Sequence, residues 1–176
     1  MKRFISLLLA VLTLLPGESK RRLRMKKFLA LILSLAMVFA LVACGDKGSA
    51  TVDAAGLGKT LSERVQFDDT MSAVSYDDLK FYLELPEKCE VGAYMSSGAT
   101  AEEIFVIQCY DKTDAAAVKV SMQSYLDSQK QEMERYKPEE VARLNNAIFA
   151  TYGTCVVLCV TNDTATANAV IKEYVG

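Results

Sequence analysis

The feature that most constrains the fold of this 176-residue chain is a repeated pair of strand-like segments on either side of one long helical segment. The first pair reads KCEVGAYM (88–95) and EIFVIQCY (103–110), and the second reads AIFATY (147–152) and TCVVLCV (154–160). Each pair has the spacing of a β-hairpin, and the apolar residues of segment 113–136 recur with a helical period. Two hairpins linked by a helix predict an α+β fold, in which an antiparallel four-stranded sheet has its helices packed on one face.

Helix-start signals place the remaining helices. Ser75, followed by YDD, is typical of an N-cap with acidic residues in the first turn. Pro138 suits the first turn of a further short helix, and Asn162 or Asp163 is expected to cap the last one. Another short helix is predicted over 54–65. The residues expected to face the core are Val118, Met122, Leu126, Met133 and Tyr136 in the long helix, and Val170, Ile171 and Tyr174 in the last.

Cys44 marks an abrupt border in the sequence. Residues 25–44 read MKKFLALILSLAMVFALVAC, with two lysines and then an apolar stretch of signal-peptide size, shorter than the ~20 apolar residues of a membrane span. After the cysteine the chain turns small and polar. The residues LVAC resemble the bacterial lipobox. That resemblance implies that the Cys44 thiol receives a diacylglyceryl group and that cleavage occurs before Cys44. Acyl chains of the palmitate type then hold the mature chain on the extracytoplasmic face of the cell membrane.

This border divides the chain into four parts. Residues 25–43 are predicted to be a lipoprotein signal peptide, residues 44–53 the lipidated cysteine with a flexible tether, and residues 54–176 a single α+β domain of unknown function. Residues 1–24 contain a second signal-like start. Because the SKRRLR stretch before Met25 can be encoded by a purine-rich ribosome-binding sequence, we expect Met25 to be the true start and residues 1–24 to be a mis-annotated extension. A duplicated signal segment is the alternative.

The charge of the part after Cys44 excludes several classes of function. This part holds 12 Lys and Arg against 21 Asp and Glu, a net charge of −9. Phosphate backbones repel an acidic domain, so nucleic-acid binding is not expected. The whole chain lacks histidine, which removes the commonest general base and the commonest metal ligand. The sequence therefore predicts no cofactor, no metal site and no catalytic residue.

Four cysteines lie in the predicted domain. In a hairpin centred on the SSGAT turn, Cys89 and Cys109 fall opposite each other, where a disulfide can form. Cys155 and Cys159 lie on one face of one strand but roughly 13 Å apart, too far to pair. Two interpretations of Cys89 and Cys109 remain open. They form a cross-strand disulfide, or they are free thiols that pack as small apolar residues, as is expected of the other two.

Adjacent acidic residues occur in four pairs and are expected to be solvated. Adjacent acids point to opposite sides of a strand, or about 100° apart on a helix, so neither arrangement makes a catalytic dyad by itself. Two of the pairs lie at helix starts, where the helix dipole explains them. The pairs are Asp68-Asp69, Asp77-Asp78, Glu102-Glu103 and Glu139-Glu140.

Four stretches together resemble a family of small lipoproteins from clostridia-like Firmicutes. They are the lipobox, the EEIFVIQCYDK strand, the long helix ending ERYKPEEVARLNNA, and the closing YGTCVVLCV hairpin. The family is catalogued as domain of unknown function 4358, and the resemblance covers most of residues 60–175. Because these motifs belong to the fold, the resemblance implies an architecture and supplies no activity and no site residues.

These observations predict a lipoprotein that is anchored at Cys44, is not an enzyme, and binds another envelope protein or a small ligand. Two alternatives remain. Acidic residues converging in one pocket would favour a cell-envelope enzyme. An uncovered apolar sheet face would favour an accessory subunit of a transport or secretion complex.

Overall fold

An antiparallel five-stranded sheet organises residues 51–176, the part of the chain that the computed structural model describes. These residues belong to one compact unit. The predictions for residues 1–50, including the signal peptide and Cys44, lie outside the described residues. The elements are α1 (Ala54–Arg64), β1 (Ser72–Val74), α2 (Tyr76–Leu79), β2 (Cys89–Met95), β3 (Glu103–Cys109), α3 (Lys112–Tyr136), a 3₁₀ helix (Pro138–Glu140), α4 (Val141–Asn145), β4 (Ile148–Tyr152), β5 (Cys155–Val160) and α5 (Thr164–Val175).

The strand order is β1-β2-β3-β5-β4, with every neighbouring pair antiparallel. Both predicted hairpins are present, β2–β3 and β4–β5. The prediction of four strands was wrong, because β1 adds a fifth at the β2 edge, where Ala73 pairs with Tyr94. Strand β1 has three residues and is largely exposed, so it offers too short an apolar alternation for the sequence to reveal.

Helices cover both faces of the sheet, and the prediction that they pack on one face was also wrong. On one face, Ile104 and Val106 of β3 pack in a cluster with residues of α1 and α5. On the other, Phe105 and Ile107 pack in a cluster with residues of α2, α3 and α4. All residues of β3 and β5 are buried. A strand covered on both sides reads as a continuous apolar run, as both of these strands do.

The predicted helix starts are confirmed. The Ser75 side chain accepts a hydrogen bond from the Asp78 backbone at the start of α2. Asp163 does the same for Thr166 at the start of α5. Asp53 caps α1, so the last residue of the predicted tether already belongs to the folded part.

The long helix α3 buries Val118, Met122 and Leu126 as predicted, together with Tyr125. Tyr136, its last residue, was predicted to face the core and is 77% exposed. Of the described helices, none combines the length and the apolar character needed to cross a membrane.

Candidate functional site

A broad groove of about 1070 Å³ lies between residues 80–85, which follow α2, and residues 117–129 of α3. Leu83 is buried in the core and attaches the first wall to the domain. The Glu84 backbone N–H donates a 2.8 Å hydrogen bond to the Ser121 hydroxyl on the opposite wall. The groove therefore has its first wall attached both to the core and to α3. We call it the Phe81 groove.

Large apolar side chains are exposed along the Phe81 groove. Phe81 is 86% exposed and Val120 is 71% exposed, from opposite walls. The Tyr82 ring meets the Tyr125 ring edge-on, with centroids 6.2 Å apart, which fixes Tyr82 in the wall. A smaller hollow beside the groove is lined by β1 together with Phe81 and Tyr82. Apolar side chains grouped in this way on a surface are typical of a site that contacts a partner.

The sequence alone did not indicate this groove. The helix that begins after Ser75 ends at Leu79, so Phe81 and Tyr82 lie beyond it in chain without helix or strand structure. Two adjacent aromatic residues directly after Lys80 were the available signal. The sequence alone could not show that Val120 would be exposed opposite them.

A buried arginine gathers acidic residues near the β2–β3 turn. The Arg143 guanidinium donates to Glu140 at 2.5 Å and also to Asp68, and its Nε lies 3.8 Å from a Glu102 oxygen. The Arg143 side chain is 8% exposed and that of Glu102 is 0% exposed. We call these four residues the Arg143 cluster.

The expectation that the acidic pairs are solvated was wrong for Glu102, Glu103 and Glu140, which are buried. The Glu102 carboxylate accepts hydrogen bonds from the backbone N–H groups of Asp68 and Asp69, at 3.0 to 3.1 Å. Glu140 accepts one from the Ala101 backbone at 2.9 Å. A buried carboxylate needs such donors. The acidic residues therefore converge, but the protein's own donors occupy their oxygens, and the cluster joins segments that are distant in sequence.

Glu103 has a different environment. It lies on the opposite face of β3 from Ile104, where the Tyr125 hydroxyl donates a 2.6 Å hydrogen bond to its Oε2. Its Oε1 has no partner. Burial raises the pKa of Glu103 to about 8, against the lowering effect of the Tyr125 hydrogen bond. Glu103 is therefore protonated in the folded domain at neutral pH.

The cysteines lie where the hairpins predict them. Cys89 is directly opposite Cys109 in the β2–β3 register, and Cys155 and Cys159 share one face of β5 within the same cluster. All four are free thiols in the structure, and the Cys89–Cys109 disulfide stays a prediction. Burial raises the pKa of Cys109 to about 11, which makes this thiol a poor nucleophile at neutral pH.

The other predicted site residue, Cys44, is not among the described residues. Within residues 51–176, no group of three or more cysteine or acidic side chains is arranged to hold a metal ion. Among the surface features of residues 51–176, the Phe81 groove offers a partner a clear contact surface.

A family model described as "Domain of unknown function (DUF4358)" matches residues 64–161. The match spans β1 to β5 and includes the Phe81 groove and the Arg143 cluster. No curated protein and no solved structure matches the chain.

Proposed function

The chain belongs to the DUF4358 family, and we propose that this member is a bacterial lipoprotein, anchored through Cys44 on the extracytoplasmic face of the cell membrane, whose domain binds another envelope protein. The observation that carries the binding role is the Phe81 groove, with Phe81 86% and Val120 71% exposed on its opposite walls. Transferring such side chains out of water on binding is favourable by roughly 25 cal/mol per Å² of apolar surface.

The shape of the groove favours a protein segment over a small ligand. Pockets for small molecules are enclosed and bury most of the ligand surface. The Phe81 groove instead follows residues 117–129 along α3 and is bordered by exposed aromatic rings. An amphipathic segment of a partner protein could lie along such a groove with its apolar side chains on Phe81 and Val120. We therefore assign the groove to an apolar segment of an envelope protein.

The two alternative functions have less support. A cell-envelope enzyme would need carboxylates that are open to a substrate, whereas Glu102 and Glu140 are buried and hydrogen-bonded within the domain. A role as an accessory subunit of a transport or secretion complex would be supported by an apolar face of the sheet that no helix covers. Among the described residues, helix clusters cover both faces of the sheet.

The anchor is supported by the sequence. Two lysines, an apolar stretch, the lipobox and a small polar linker follow one another up to and beyond Cys44. Two acyl chains suffice for stable membrane attachment, at ~0.8 kcal/mol for each buried CH₂ group. An anchored domain of net charge −9 needs no basic patch to stay at the membrane.

The test is in-cell crosslinking of the tagged full chain, followed by mass spectrometry of the species that co-purify from the membrane. We expect one dominant crosslinked partner, whose yield falls strongly in Phe81→Ser. The matched control is Tyr136→Ser, since Tyr136 is a similarly exposed aromatic residue outside the groove, at 77%. In parallel, Cys44→Ala is expected to abolish acylation and cleavage.

Two results would overturn the proposal. One is a Cys44→Ala chain that is still processed and membrane-bound. The other is a folded, anchored protein whose crosslinked species are the same in Phe81→Ser as in Tyr136→Ser.

A further inference from the structure

We propose that one end of the domain, formed by Gln108, Tyr110 and Thr154, faces the lipid surface, with Tyr110 at the membrane interface. This end is called the Tyr110 end. The inference rests on the anchor at Cys44 that is part of the proposed function. Beyond the anchor itself, the inference states which surface of the domain meets the bilayer and which surfaces remain accessible to a partner.

The chain enters the domain at a fixed point of the Tyr110 end. The Val52 backbone N–H donates a 3.0 Å hydrogen bond to the side-chain oxygen of Gln108. The Gln108 amide nitrogen donates in turn to the Cys109 carbonyl at 2.8 Å and to the Thr154 hydroxyl at 2.7 Å. Val52 and Gln108 are both buried. Gln108 thus positions the first residues of the domain against the end of β3.

The chain between the anchor and this point is short. Eight residue steps separate Cys44 from Val52, and a fully extended chain spans at most ~3.5 Å per residue, or about 28 Å in total. Helix α3 has 25 residues and is therefore about 36 Å long. An anchor that reaches at most about 28 Å from the Tyr110 end therefore holds that end closer to the bilayer than the other end of α3.

The opposite end of the domain is formed by the last residues of α3 and the turn between β2 and β3. Tyr136 is the last residue of α3, and the Lys137 side chain that follows it donates hydrogen bonds to the Gly98 and Ala99 carbonyls, at 3.3 and 2.6 Å. These carbonyls lie in the turn between β2 and β3, at the far end of the strands from Gln108. The Arg143 cluster also lies there, through Glu102 and the Ala101 backbone.

Tyr110 has the properties of a residue at a membrane interface. It lies between β3 and α3 and is 73% exposed. A tyrosine presents an apolar ring with a polar hydroxyl, which suits the boundary between headgroups and acyl chains. The neighbouring Asp111 carboxylate accepts hydrogen bonds from Thr113 and Asp114 as the cap of α3. The domain is acidic, so the contact of this end with lipid depends on the anchor.

The chain contains no tryptophan, so a single introduced tryptophan reports its own surroundings. We would express the full chain as Tyr110→Trp and as Tyr136→Trp, purify the acylated protein from membranes, and reconstitute it in phosphatidylcholine vesicles with and without brominated acyl chains. The two positions are matched, since both carry a tyrosine of similar exposure, at 73% and 77%. Circular dichroism checks that both variants are folded.

We expect the bromines to quench Tyr110→Trp at least about twofold more than Tyr136→Trp, with emission at shorter wavelength, because interfacial aromatic rings lie at headgroup level. Equal quenching of the two variants, or stronger quenching of Tyr136→Trp, would overturn the orientation in a protein whose intact mass shows acylation. A mass without acyl chains would instead refute the anchor, and with it both proposals. The intact mass therefore distinguishes the two failures.

Discussion

The Tyr125 hydroxyl lies 2.6 Å from Oε2 of Glu103, while Oε1 of the same carboxyl has no hydrogen-bond partner. One donor is too few to solvate a buried carboxylate, and burial raises the pKa of Glu103 to about 8. In the unfolded chain the same group has a pKa near 4.5. The folded state therefore binds more protons between about pH 4.5 and pH 8.

We predict that Glu103 makes the free energy of unfolding fall as the pH rises from about 4.5 to 8, by up to ~1.4 kcal/mol per pH unit. The stability that the protonated Glu103 contributes to the folded state is fully present below about pH 4.5. It is fully lost above about pH 8. Glu103→Gln should flatten this part of the profile, because the amide does not ionise. Urea unfolding at pH 5 to 9 measures the slope, with Glu90→Gln on the neighbouring strand as an exposed control. Parallel profiles for the wild-type chain and Glu103→Gln would contradict the prediction.

We predict that Arg143→Met destabilises the domain by about 3–5 kcal/mol, because it leaves buried carboxylates without their cation. Arg143→Met combined with Glu140→Gln should recover part of the loss. The control is Arg64→Met, which breaks the exposed pair of Arg64 with Glu173 and should cost far less. The free energy of unfolding in urea measures each change. A loss in Arg143→Met no larger than that in Arg64→Met would show that the Arg143 cluster contributes little.

We predict that Gly92→Ala prevents α1 from packing on β2. A Cβ atom at Gly92 would lie 1.9 Å from the Ala54 carbonyl oxygen, and one at Gly58 would lie 2.7 Å from the Gly92 carbonyl oxygen. The neighbour is backbone in each case, so the helix must move away, and we expect a loss of about 3 kcal/mol.

The control for this prediction is Gly98→Ala. Gly98 has a φ of +92° and open space around it, so alanine there meets strain but no clash, at a cost of about 1–2 kcal/mol. Thermal unfolding and amide hydrogen exchange of α1 measure both variants. Rapid exchange in α1 is expected for Gly92→Ala alone, and unchanged exchange would refute the direct contact of the two backbones.

The sequence by itself determined the hairpins and the caps. Strand pairing follows from local turn chemistry and alternation, so Cys89 falls opposite Cys109 as predicted. Ser75 and Asp163 cap their helices because their side chains reach backbone N–H groups only three residues away. The sequence also predicts the family, whose model matches residues 64–161.

Only the tertiary structure decided which residues distant in sequence meet. Arg143 pairs with Asp68 across 75 positions, and no local pattern predicts that Glu102 beside them would be buried. The second helix layer depends on Gly92 letting α1 approach the sheet. Phe81 and Val120 line one groove because Leu83 is buried beneath it. Burial depends on which elements pack together, and that choice minimises the free energy of the whole domain, not that of any one segment.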